Sequence, residues 1–565
     1  MNHLYYGDNL DRMQRMPSNS VDLIYLDPPF NSKQNYNLMY KNLTGKPVPD
    51  QAQAFCDTWE MDDEKEELLR NMPILLREYE VSDDIIQFWR LWMRALRDTQ
   101  PHVLAYLLYM TRRLLHMKVI LKSTGSIYLH CDPTASHYIK VMMDAIFDHR
   151  NFQNEIIWKR TSAHVNPKRW GPVHDVILFY TKSDKFTWNT VHQPYDATYL
   201  EVKYKHKDEK GHYRLSDLTG AGWGGGDSGK DWQGFSVKDM GRHWAVPKDE
   251  VAAVVGAEKA AKLTTQEKLD ALNAHGFIYW TPRGKYNGRG FPQFKRYLTG
   301  GIPVQDVISD ISPINSQAKE RLGYPTQKPI ALLERIIRAS SNEGDVIFDP
   351  FCGCGTTIYA AERTHRQWSG CDIAILSVNL VRDVLEAKFR LVNGVHFEVD
   401  GIPVSVEQAQ ALFKRDPFQF QHWFVEKVGG FPTKRMTGDR GIDGRLYFET
   451  KDGLKEVVLS VKGGNIRPTD VRELRGVLER EPDAAIGGML SLQEPTKAMR
   501  EEAARAGKYE YAGNHYPRLQ FLTAKDILED KREFYTPTKL GSRAKSGQAS
   551  FGYDVEANEL ITKAL

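Results

Sequence analysis

The stretch 345-DVIFDPFCGCGTTIYAAERT-364 decides the fold class of this chain. Its apolar start predicts a buried β-strand that ends at Asp349, and its last nine residues predict a helix. Gly353 and Gly355 lie in the turn between them, where the missing Cβ atoms let a ligand approach the backbone closely. A strand, a glycine turn and a helix in this order are typical of an α/β domain.

The next predicted strand, WSGCD, ends at Asp372. Asp372 follows Asp349 at about the 20-residue interval at which an acid meets ribose hydroxyls in Rossmann-type sheets. The turn and the acid together predict a nucleotide-like cofactor site. A tight strand-to-helix turn without a ligand is the alternative.

A second motif, Asp27-Pro28-Pro29-Phe30, directly follows the apolar strand VDLIYL. Consecutive prolines stiffen the loop, so the Asp27 carboxylate and the Pro28 carbonyl can both accept hydrogen bonds from one NH₂ group. The ring of Phe30 can stack on a planar base. Two such acceptors favour the pyramidal, nucleophilic form of an exocyclic amine. The motif therefore predicts a site that activates a base amine, against the alternative of a rigid turn without chemistry.

In this order the two motifs resemble the β-group of DNA amino-methyltransferases, in which DPPY or DPPF precedes the recognition segment and an FxGxG turn follows it. Three further stretches resemble motifs of that family: Gly7-Asp8-Asn9-Leu10, Leu129-His130-Cys131-Asp132-Pro133-Thr134 and Thr326-Gln327-Lys328-Pro329. The resemblance covers about residues 1 to 390. It implies a Rossmann-like S-adenosylmethionine-dependent methyltransferase domain with an inserted recognition region.

The resemblance also implies which residues form the site. Asp8 would lie near the adenine of S-adenosylmethionine, and Lys328 and Pro329 near its methionine end. The expected catalytic residues are Asp27, Pro28, Pro29 and Phe30. The expected cofactor-binding residues are Asp8, Lys328, Pro329, Phe348, Asp349, Phe351, Gly353, Gly355, Thr356 and Asp372.

Adenine N6 is the expected target, because the N4-cytosine members of the family usually carry Ser where this chain has Asp27. N4 of cytosine is the alternative target. Either base must leave the duplex to reach the pocket, with Phe30 as its stacking partner. Two other functions stay open: a DNA-binding or nuclease effector that uses the methyltransferase domain as a sensor, and an RNA methyltransferase.

The middle third of the chain is rich in Lys, Arg and Trp, and we expect it to bind double-stranded DNA. Lys and Arg can clamp phosphates, and Arg can also bind guanine edges. The candidate contacts are Lys159, Arg160, Lys168, Arg169, Lys295 and Arg296. For each of them a solvated surface position is the alternative.

Residues 416–535 resemble the Mrr-type branch of the PD-(D/E)xK restriction endonucleases. Asp443 and Lys462 stand where that branch carries a metal-binding acid and its lysine, but Ser460 stands where a carboxylate or Gln is usual, and Gln421 where Glu is frequent. One carboxylate, Asp443, is few ligands for Mg²⁺, which prefers charged oxygens. Mg²⁺-dependent cleavage, a DNA-binding or regulatory role, and a structural role all stay open.

The length and the composition of the chain limit which classes of protein are possible. The chain has 565 residues, 41% hydrophobic and 26% charged, which predicts several folded domains and excludes wholesale disorder. The formal net charge of +3 requires that any DNA-binding surface be local. Five cysteines predict no disulfide framework, and Cys352 and Cys354 do not match a zinc pattern. Because no long apolar run occurs, we expect a cytoplasmic protein without membrane association.

The sequence divides into six predicted segments. They are the N-terminal part of the methyltransferase domain (1–150), a target-recognition region (151–325), the C-terminal, cofactor-binding part of that domain (326–392), a helical linker (393–415), a smaller α/β restriction-endonuclease-like domain (416–535) and a polar tail (536–565). The expected partners, besides DNA, are subunits of a restriction-modification or phage-defence system. A homodimer is left open.

Overall fold

This computed structural model describes residues 1–29, 59–133, 135–161, 170–282, 290–315, 318, 320–322, 324, 326–433, 441–451 and 453–537. The chain divides into two compact units. One unit is Thr190–Val304, and the other combines Met1–Asn189 with the chain from Gln305 onward. No helix within the described ranges is long and apolar enough to span a membrane.

The first part of the larger unit alternates strands with helices. Its elements are β1 (Asn2–Tyr6), α1 (Asn9–Arg15), β2 (Val21–Leu26), α2 (Asp63–Glu78), α3 (Asp83–Thr99), α4 (Pro101–Ile120), β3 (Leu121–Cys131), α5 (Ser136–Phe147), β4 (Phe152–Lys159) and β5 (His174–Thr181). In α3, Ile86, Trp89, Met93 and Leu96 are buried, at the spacing of one helix face. The helical periodicity of the sequence is therefore confirmed here.

The unit Thr190–Val304 is built from short elements around its own hydrophobic core. These elements are β6 (His192–Gln193), α6 (Ala197–Lys203), β7 (His206–Asp208), β8 (Gly211–Asp217), β9 (Thr219–Ala221), β10 (Arg242–Trp244), α7 (Lys248–Val255), α8 (Ala257–Lys262), α9 (Thr265–Ala274), β11 (Ile278–Trp280), β12 (Pro292–Tyr297) and β13 (Ile302–Pro303). Four strands form an antiparallel sheet in the order β11-β12-β8-β7. Trp232 stacks on Trp280 within this unit, with ring centroids 5.6 Å apart.

The chain then returns to the larger unit and completes its main sheet. The elements are β14 (Val307–Ile308), α10 (Ile330–Ser340), β15 (Val346–Asp349), α11 (Thr356–Arg363), β16 (Gln367–Asp372), α12 (Ile375–Phe389) and β17 (Phe397–Asp400). The nine strands run in the order β14-β4-β5-β3-β2-β15-β16-β1-β17. From β3 to β17 all neighbours are parallel, whereas β5 is antiparallel to β3 and β4. The predicted Rossmann-like α/β class is confirmed.

Two stretches differ from their sequence-based description. The segment from residue 151 was predicted to begin the recognition region, yet β4 and β5 belong to the main sheet. Nearly all of β5 is buried, because it lies between two other strands and not at an edge. The stretch 393–415, predicted as a helical linker, contains strand β17, which pairs with β1, before a helix begins.

A smaller α/β domain follows, as the sequence predicted. Its elements are α13 (Val406–Arg415), α14 (Pro417–Lys427), β18 (Phe431–Pro432), β19 (Gly444–Thr450), β20 (Gly453–Lys462), α15 (Pro468–Arg480), β21 (Ala484–Ser491), α16 (Lys497–Ala504), β22 (Lys508–Tyr511), β23 (Asn514–Pro517), β24 (Leu519–Thr523) and α17 (Ala524–Leu528). Its sheet runs β18-β19-β20-β21-β24, antiparallel up to β20 and parallel from there.

Helix α14 joins this domain to the main sheet. Its buried Phe420, Trp423 and Phe424 belong to one hydrophobic cluster with residues of α12 and β15. Next to them, the Glu426 carboxylate accepts a hydrogen bond from the Ile375 backbone N–H, at 3.2 Å, where α12 begins. The smaller domain therefore packs on the helix that directly follows Asp372.

Candidate active site

The carboxyl ends of β2, β15 and β16 meet at one edge of the main sheet and border a cavity. Parallel α/β sheets bind their ligands at this edge. Nine of the predicted site residues line the cavity: Asp8, Asp27, Pro29, Lys328, Asp349, Phe351, Gly353, Thr356 and Asp372. Pro28, Pro329, Phe348 and Gly355 are not among the lining residues, and Phe30 lies outside the described ones.

The glycine turn after β15 is shaped for close backbone approach. Gly353 and Gly355 have φ values of +50° and +88°, a region that residues with a Cβ rarely adopt. A Cβ on Gly355 would lie 2.7 Å from a methyl carbon of Val381. Gly353 donates its backbone N–H to the Asp372 carboxylate at 2.9 Å, which ties the turn to the end of β16. The two predicted cofactor elements therefore form one structure.

Asp372 is a buried carboxylate at the floor of this turn. Burial raises the pKa of its carboxyl to about 6, although backbone hydrogen bonds from Ala374 and Gly353 favour the charged form. The group is therefore largely ionised at neutral pH and can accept hydrogen bonds from the hydroxyls of a ribose. That Asp372 binds the ribose of the cofactor stays a prediction.

Asp349 is buried more deeply than Asp372, and its contacts give it a different role in the turn. Burial raises the pKa of Asp349 to about 7. Its carboxylate accepts a hydrogen bond from the Phe351 backbone N–H, at 3.0 Å, and so shapes the start of the glycine turn. Phe348, one residue earlier, is fully buried in the core and supports the strand.

Asp8 begins α1 and is held from two sides. Its carboxylate accepts from the Leu10 backbone N–H at 2.7 Å, and the Arg113 guanidinium lies 2.6 Å away. Arg113 also donates to the Asn9 side chain at 2.7 Å and lies over the ring of Tyr109, 3.4 Å from its centroid. Arg113 was not predicted as a site residue. Its only signal in the sequence is that a charged residue interrupts the apolar run of α4.

The other end of the cavity holds Asp27, directly after β2. Lys328 donates a hydrogen bond from its ammonium group to Asp27 Oδ2. Asp27 Oδ1 is buried and has no hydrogen-bond partner within the described part of the chain. Lys328 itself is buried. A buried carboxylate oxygen without a donor is costly, so this oxygen is suited to accept a hydrogen bond from a ligand.

The residues around the cavity fit S-adenosylmethionine. Asp372 offers an acceptor for ribose hydroxyls, Asp8 offers one for the adenine amine, and the Phe351 ring supplies an apolar face. The carboxylates of Asp27 and Asp372 both line the cavity and would favour a positively charged ligand such as a sulfonium. When bound, this cofactor supplies an electrophilic methyl group.

The candidate DNA contacts have different surroundings. Lys159, Arg160 and Arg296 are exposed, and Arg160 lies 3.1 Å from the buried Asp175 carboxylate. Lys295 is half-buried and forms an ion pair with Asp208 at 2.8 Å. Lys168 and Arg169 lie outside the described residues.

In the smaller domain the three candidate nuclease residues lie near β20. Asp443 Oδ2 accepts a hydrogen bond from the Val461 backbone N–H at 2.6 Å, which holds the carboxylate against this strand. Ser460 is buried, and Lys462 lies 3.9 Å from the Asp470 carboxylate.

Comparison with known proteins identifies two families. Residues 21–382 match the family described as DNA methylase, and residues 417–522 match the family described as NACHT-associated inactive restriction endonuclease 1. The first match covers more than half of the chain. The second agrees with the expected restriction-endonuclease-like domain.

Two curated relatives show the extent of the similarity. The type II methyltransferase M.EcaI of Enterobacter cloacae is 33% identical over 280 residues, which cover 49% of this chain and 56% of that protein. The Mod subunit of the type III restriction-modification enzyme StyLTI of Salmonella typhimurium is 26% identical over 386 residues, 64% of this chain and 50% of the relative. The chain spans about half the length of these relatives.

A solved structure is also similar. A DNA modification methylase of Thermus thermophilus, complexed with S-adenosyl-L-methionine, has 16% sequence identity and a TM-score of 0.31, over 71% of this chain and all of that one. Because the family match spans residues 21–382 and includes the ends of β2, β15 and β16, this chain belongs to the DNA methylase family.

Proposed function

We propose that this chain transfers the methyl group of S-adenosylmethionine to N6 of adenine in DNA, as the modification enzyme of a restriction-modification or defence system. One observation carries the proposal. Asp27 has one carboxylate oxygen bound by Lys328 and a second, buried oxygen without a donor within the described residues, at the edge of the cavity. That second oxygen is suited to accept a hydrogen bond from the target amine.

The two carboxylate oxygens of Asp27 have different surroundings, and this difference explains how the amine is activated. Lys328 fixes the orientation of the carboxylate through Oδ2 and leaves Oδ1 directed at the substrate. Oδ1 and the Pro28 carbonyl then accept one N–H each, which favours the pyramidal nitrogen whose lone pair points at the methyl carbon. Asp27 also attracts the positive charge that develops on the nitrogen as the N–C bond forms and the C–S bond breaks.

The choice of adenine rests on Asp27 and not on the fold. The N4-cytosine members that this chain resembles usually carry Ser at this position, whereas a carboxylate stands here. The test is nucleoside mass spectrometry of unmethylated genomic DNA after incubation with the protein and labelled S-adenosylmethionine. We expect N6-methyladenine. N4-methylcytosine would refute adenine and keep the methyltransferase, and label in RNA alone would refute DNA as the substrate.

We propose that the smaller domain, which resembles the Mrr-type fold, binds DNA without cutting it. Asp443 Oδ2 is taken up by the Val461 N–H, and Ser460 stands where a second acid would be needed to hold Mg²⁺. The test is incubation of supercoiled plasmid with the protein and Mg²⁺. We expect the plasmid to bind the protein and to stay uncut, whereas nicks that disappear in Asp443→Ala would establish a nuclease.

A third proposal concerns partners. The similarity to a Mod subunit supports assembly with further subunits of a restriction-modification system. Size-exclusion chromatography with light scattering, alone and with DNA, tests whether the chain also pairs with a second copy of itself.

A further inference from the structure

A chain of polar side chains runs beneath the cavity, through the LHCDPT motif that the proposed function leaves unused. The Tyr25 hydroxyl lies 2.8 Å from His130 Nδ1, and His130 Nε2 lies 3.2 Å from Asp175 Oδ2. On the other side, Arg160 Nη1 lies 3.1 Å from Asp175 Oδ1. We call Tyr25, His130 and Asp175 the buried triad.

The depth of the buried triad is unusual for polar groups. His130 is fully buried, and Tyr25 and Asp175 are 2% and 3% exposed. Burying a polar or charged group is unfavourable unless it is hydrogen-bonded, and an apolar side chain would fill the same space at no such cost. Tyr25, His130 and Asp175 Oδ2 are joined by hydrogen bonds, and within the described residues Asp175 Oδ1 has only the ion pair with Arg160. These contacts do not explain why polar residues stand here.

The charge of Asp175 sets the direction of the hydrogen bonds. Burial raises its pKa, but the hydrogen bond from His130 and the positive charges of Lys328 and Arg160 lower it more, so the pKa lies below its ordinary value. An ionised carboxylate only accepts, so His130 Nε2 must carry a proton. In the neutral ring Nδ1 is then an acceptor, and the Tyr25 hydroxyl donates to it.

Two features connect the buried triad to Asp27. Tyr25 lies near the end of β2, Asp27 directly follows that strand, and both residues line the cavity. Lys328 contacts the Asp27 carboxylate, and its charge also acts on Asp175. The Lys328 ammonium group, which orients Asp27, is thus also attracted by the Asp175 carboxylate.

We propose that His130 and Asp175 are positioning residues for methyl transfer. They hold the Tyr25 side chain in place where it lines the cavity together with Asp27. This inference rests on the proposed function, because it concerns the rate of that reaction. His130 and Asp175 are not among the residues that line the cavity, so they would act through Tyr25.

The chain supplies a matched pair of variants. Tyr25→Phe removes one oxygen from the triad. Tyr128→Phe removes one oxygen from another buried tyrosine, whose hydroxyl bonds Ser340 Oγ at 2.6 Å and which is not among the cavity-lining residues. Both variants lose one buried hydrogen bond and no bulk, so a purely structural role predicts the same small change for both.

The measurement is kcat for methyl transfer to DNA, the KM for DNA and the Kd for S-adenosylmethionine. We expect Tyr25→Phe to lower kcat about tenfold and Tyr128→Phe to change it less than about twofold, with KM and Kd preserved in both. Asp175→Ala should lower kcat about 100-fold, and Asp175→Asn should recover much of it, because the amide oxygen still accepts from Nε2.

A double variant tests whether the residues act as one chain. Once Asp175→Ala has released His130, adding Tyr25→Phe should lower kcat by less than about threefold more, since interacting residues are not additive. Equal kcat values for Tyr25→Phe and Tyr128→Phe, multiplying losses in the double variant, or losses confined to KM or Kd would overturn the inference while the methyltransferase stands. If the wild type methylates no nucleic acid, the proposed function fails and the inference fails with it.

Discussion

Asp27 directly follows strand β2 and Asp443 directly precedes strand β19, but the surroundings of the two carboxylates differ. Asp27 Oδ1 is buried without a donor within the described residues, beside a cavity, and Oδ2 is bound by Lys328. Asp443 Oδ2 is bound by the Val461 backbone, and Lys462 is paired with Asp470 instead. The same residue types therefore support chemistry at one place and sheet structure at the other.

The difference shows what makes a carboxylate available for catalysis. A buried carboxylate oxygen without a donor is tolerated only where a ligand supplies the missing hydrogen bond. The hydrogen bond to the other carboxylate oxygen then fixes the direction in which this oxygen points. At Asp443 the backbone provides the donor, so the carboxylate stabilises the start of β19. The predictions below alter one side of this comparison at a time.

A large loss of activity is expected when the cation beside Asp27 is removed. Lys328→Met keeps the length of the side chain but frees Asp27 Oδ2, so we expect kcat for methyl transfer to fall about 100-fold. Lys122→Met is the matched control, because Lys122 pairs at 2.8 Å with Asp22 on the same strand as Tyr25, and neither Lys122 nor Asp22 lines the cavity. Equal losses in the two variants would show that Lys328 acts only through stability.

A smaller effect is expected at the glycine turn. Gly355→Ala forces an unfavourable φ and places a Cβ against Val381, so we expect about tenfold weaker binding of S-adenosylmethionine by calorimetry. Gly344→Ala is the control: its φ is +85°, and a Cβ there would meet open space. It should lower stability by about 1 kcal/mol and leave cofactor affinity unchanged. Unchanged affinity in Gly355→Ala would contradict the proposed path of the cofactor.

Protonation of Asp372 should change cofactor affinity by several-fold. Because the pKa of Asp372 is raised to about 6, the carboxylate loses its acceptor role as pH falls through that value. We expect the Kd for S-adenosylmethionine to rise below about pH 6, and Asp372→Asn to bind weakly with a flatter pH profile. A profile that is identical in wild type and Asp372→Asn would remove Asp372 from the cofactor site.

Stability should change with pH in the opposite direction. The pKa values of Asp349 and Asp372 are raised above their ordinary value, so the folded state binds protons that the unfolded state has released. Their contribution is full below about pH 4 and is lost as pH rises through 6 to 7. Asp349→Asn should therefore reduce the fall in unfolding free energy between about pH 5 and 8, measured by denaturant titration.

The smallest effect is expected at Asp443. Asp443→Ala should leave kcat for methyl transfer within about twofold of the wild type, because its carboxylate bonds the backbone of the smaller domain and not the methyltransferase site. The assay is the same methyl transfer measurement used for Lys328→Met. A loss comparable to that of Lys328→Met would mean that the smaller domain controls the methyltransferase site.

The sequence predicted the strands that end at Asp27, Asp349 and Asp372, because continuous apolar runs and glycine or proline turns are local signals. It did not predict that Arg113 holds Asp8, because the two residues are 105 positions apart and the sequence does not distinguish Arg113 from the other charged residues of α4. The resemblance placed Lys328 near the methionine end of the cofactor, and the structure adds its contact with Asp27. Contacts between distant segments arise from the fold and leave no periodic pattern.

The extent of the sheet was also hidden from the sequence. Strands β4 and β5 are separated from the rest of the methyltransferase motifs, and β17 is short and half-polar, so the sequence does not place any of the three in the main sheet. Pairing of β5 with β3 and β4, and of β17 with β1, assigns them to it.

The central claim is that Asp27 activates the target amine, and the direct test compares the wild type with Asp27→Ala. The measurement is transfer of labelled methyl from S-adenosylmethionine to unmethylated DNA, with binding of cofactor and DNA measured on the same samples. We predict a loss of methyl transfer of at least about 1,000-fold with both affinities within about threefold of the wild type. Methyl transfer by Asp27→Ala at a rate near that of the wild type would contradict this account.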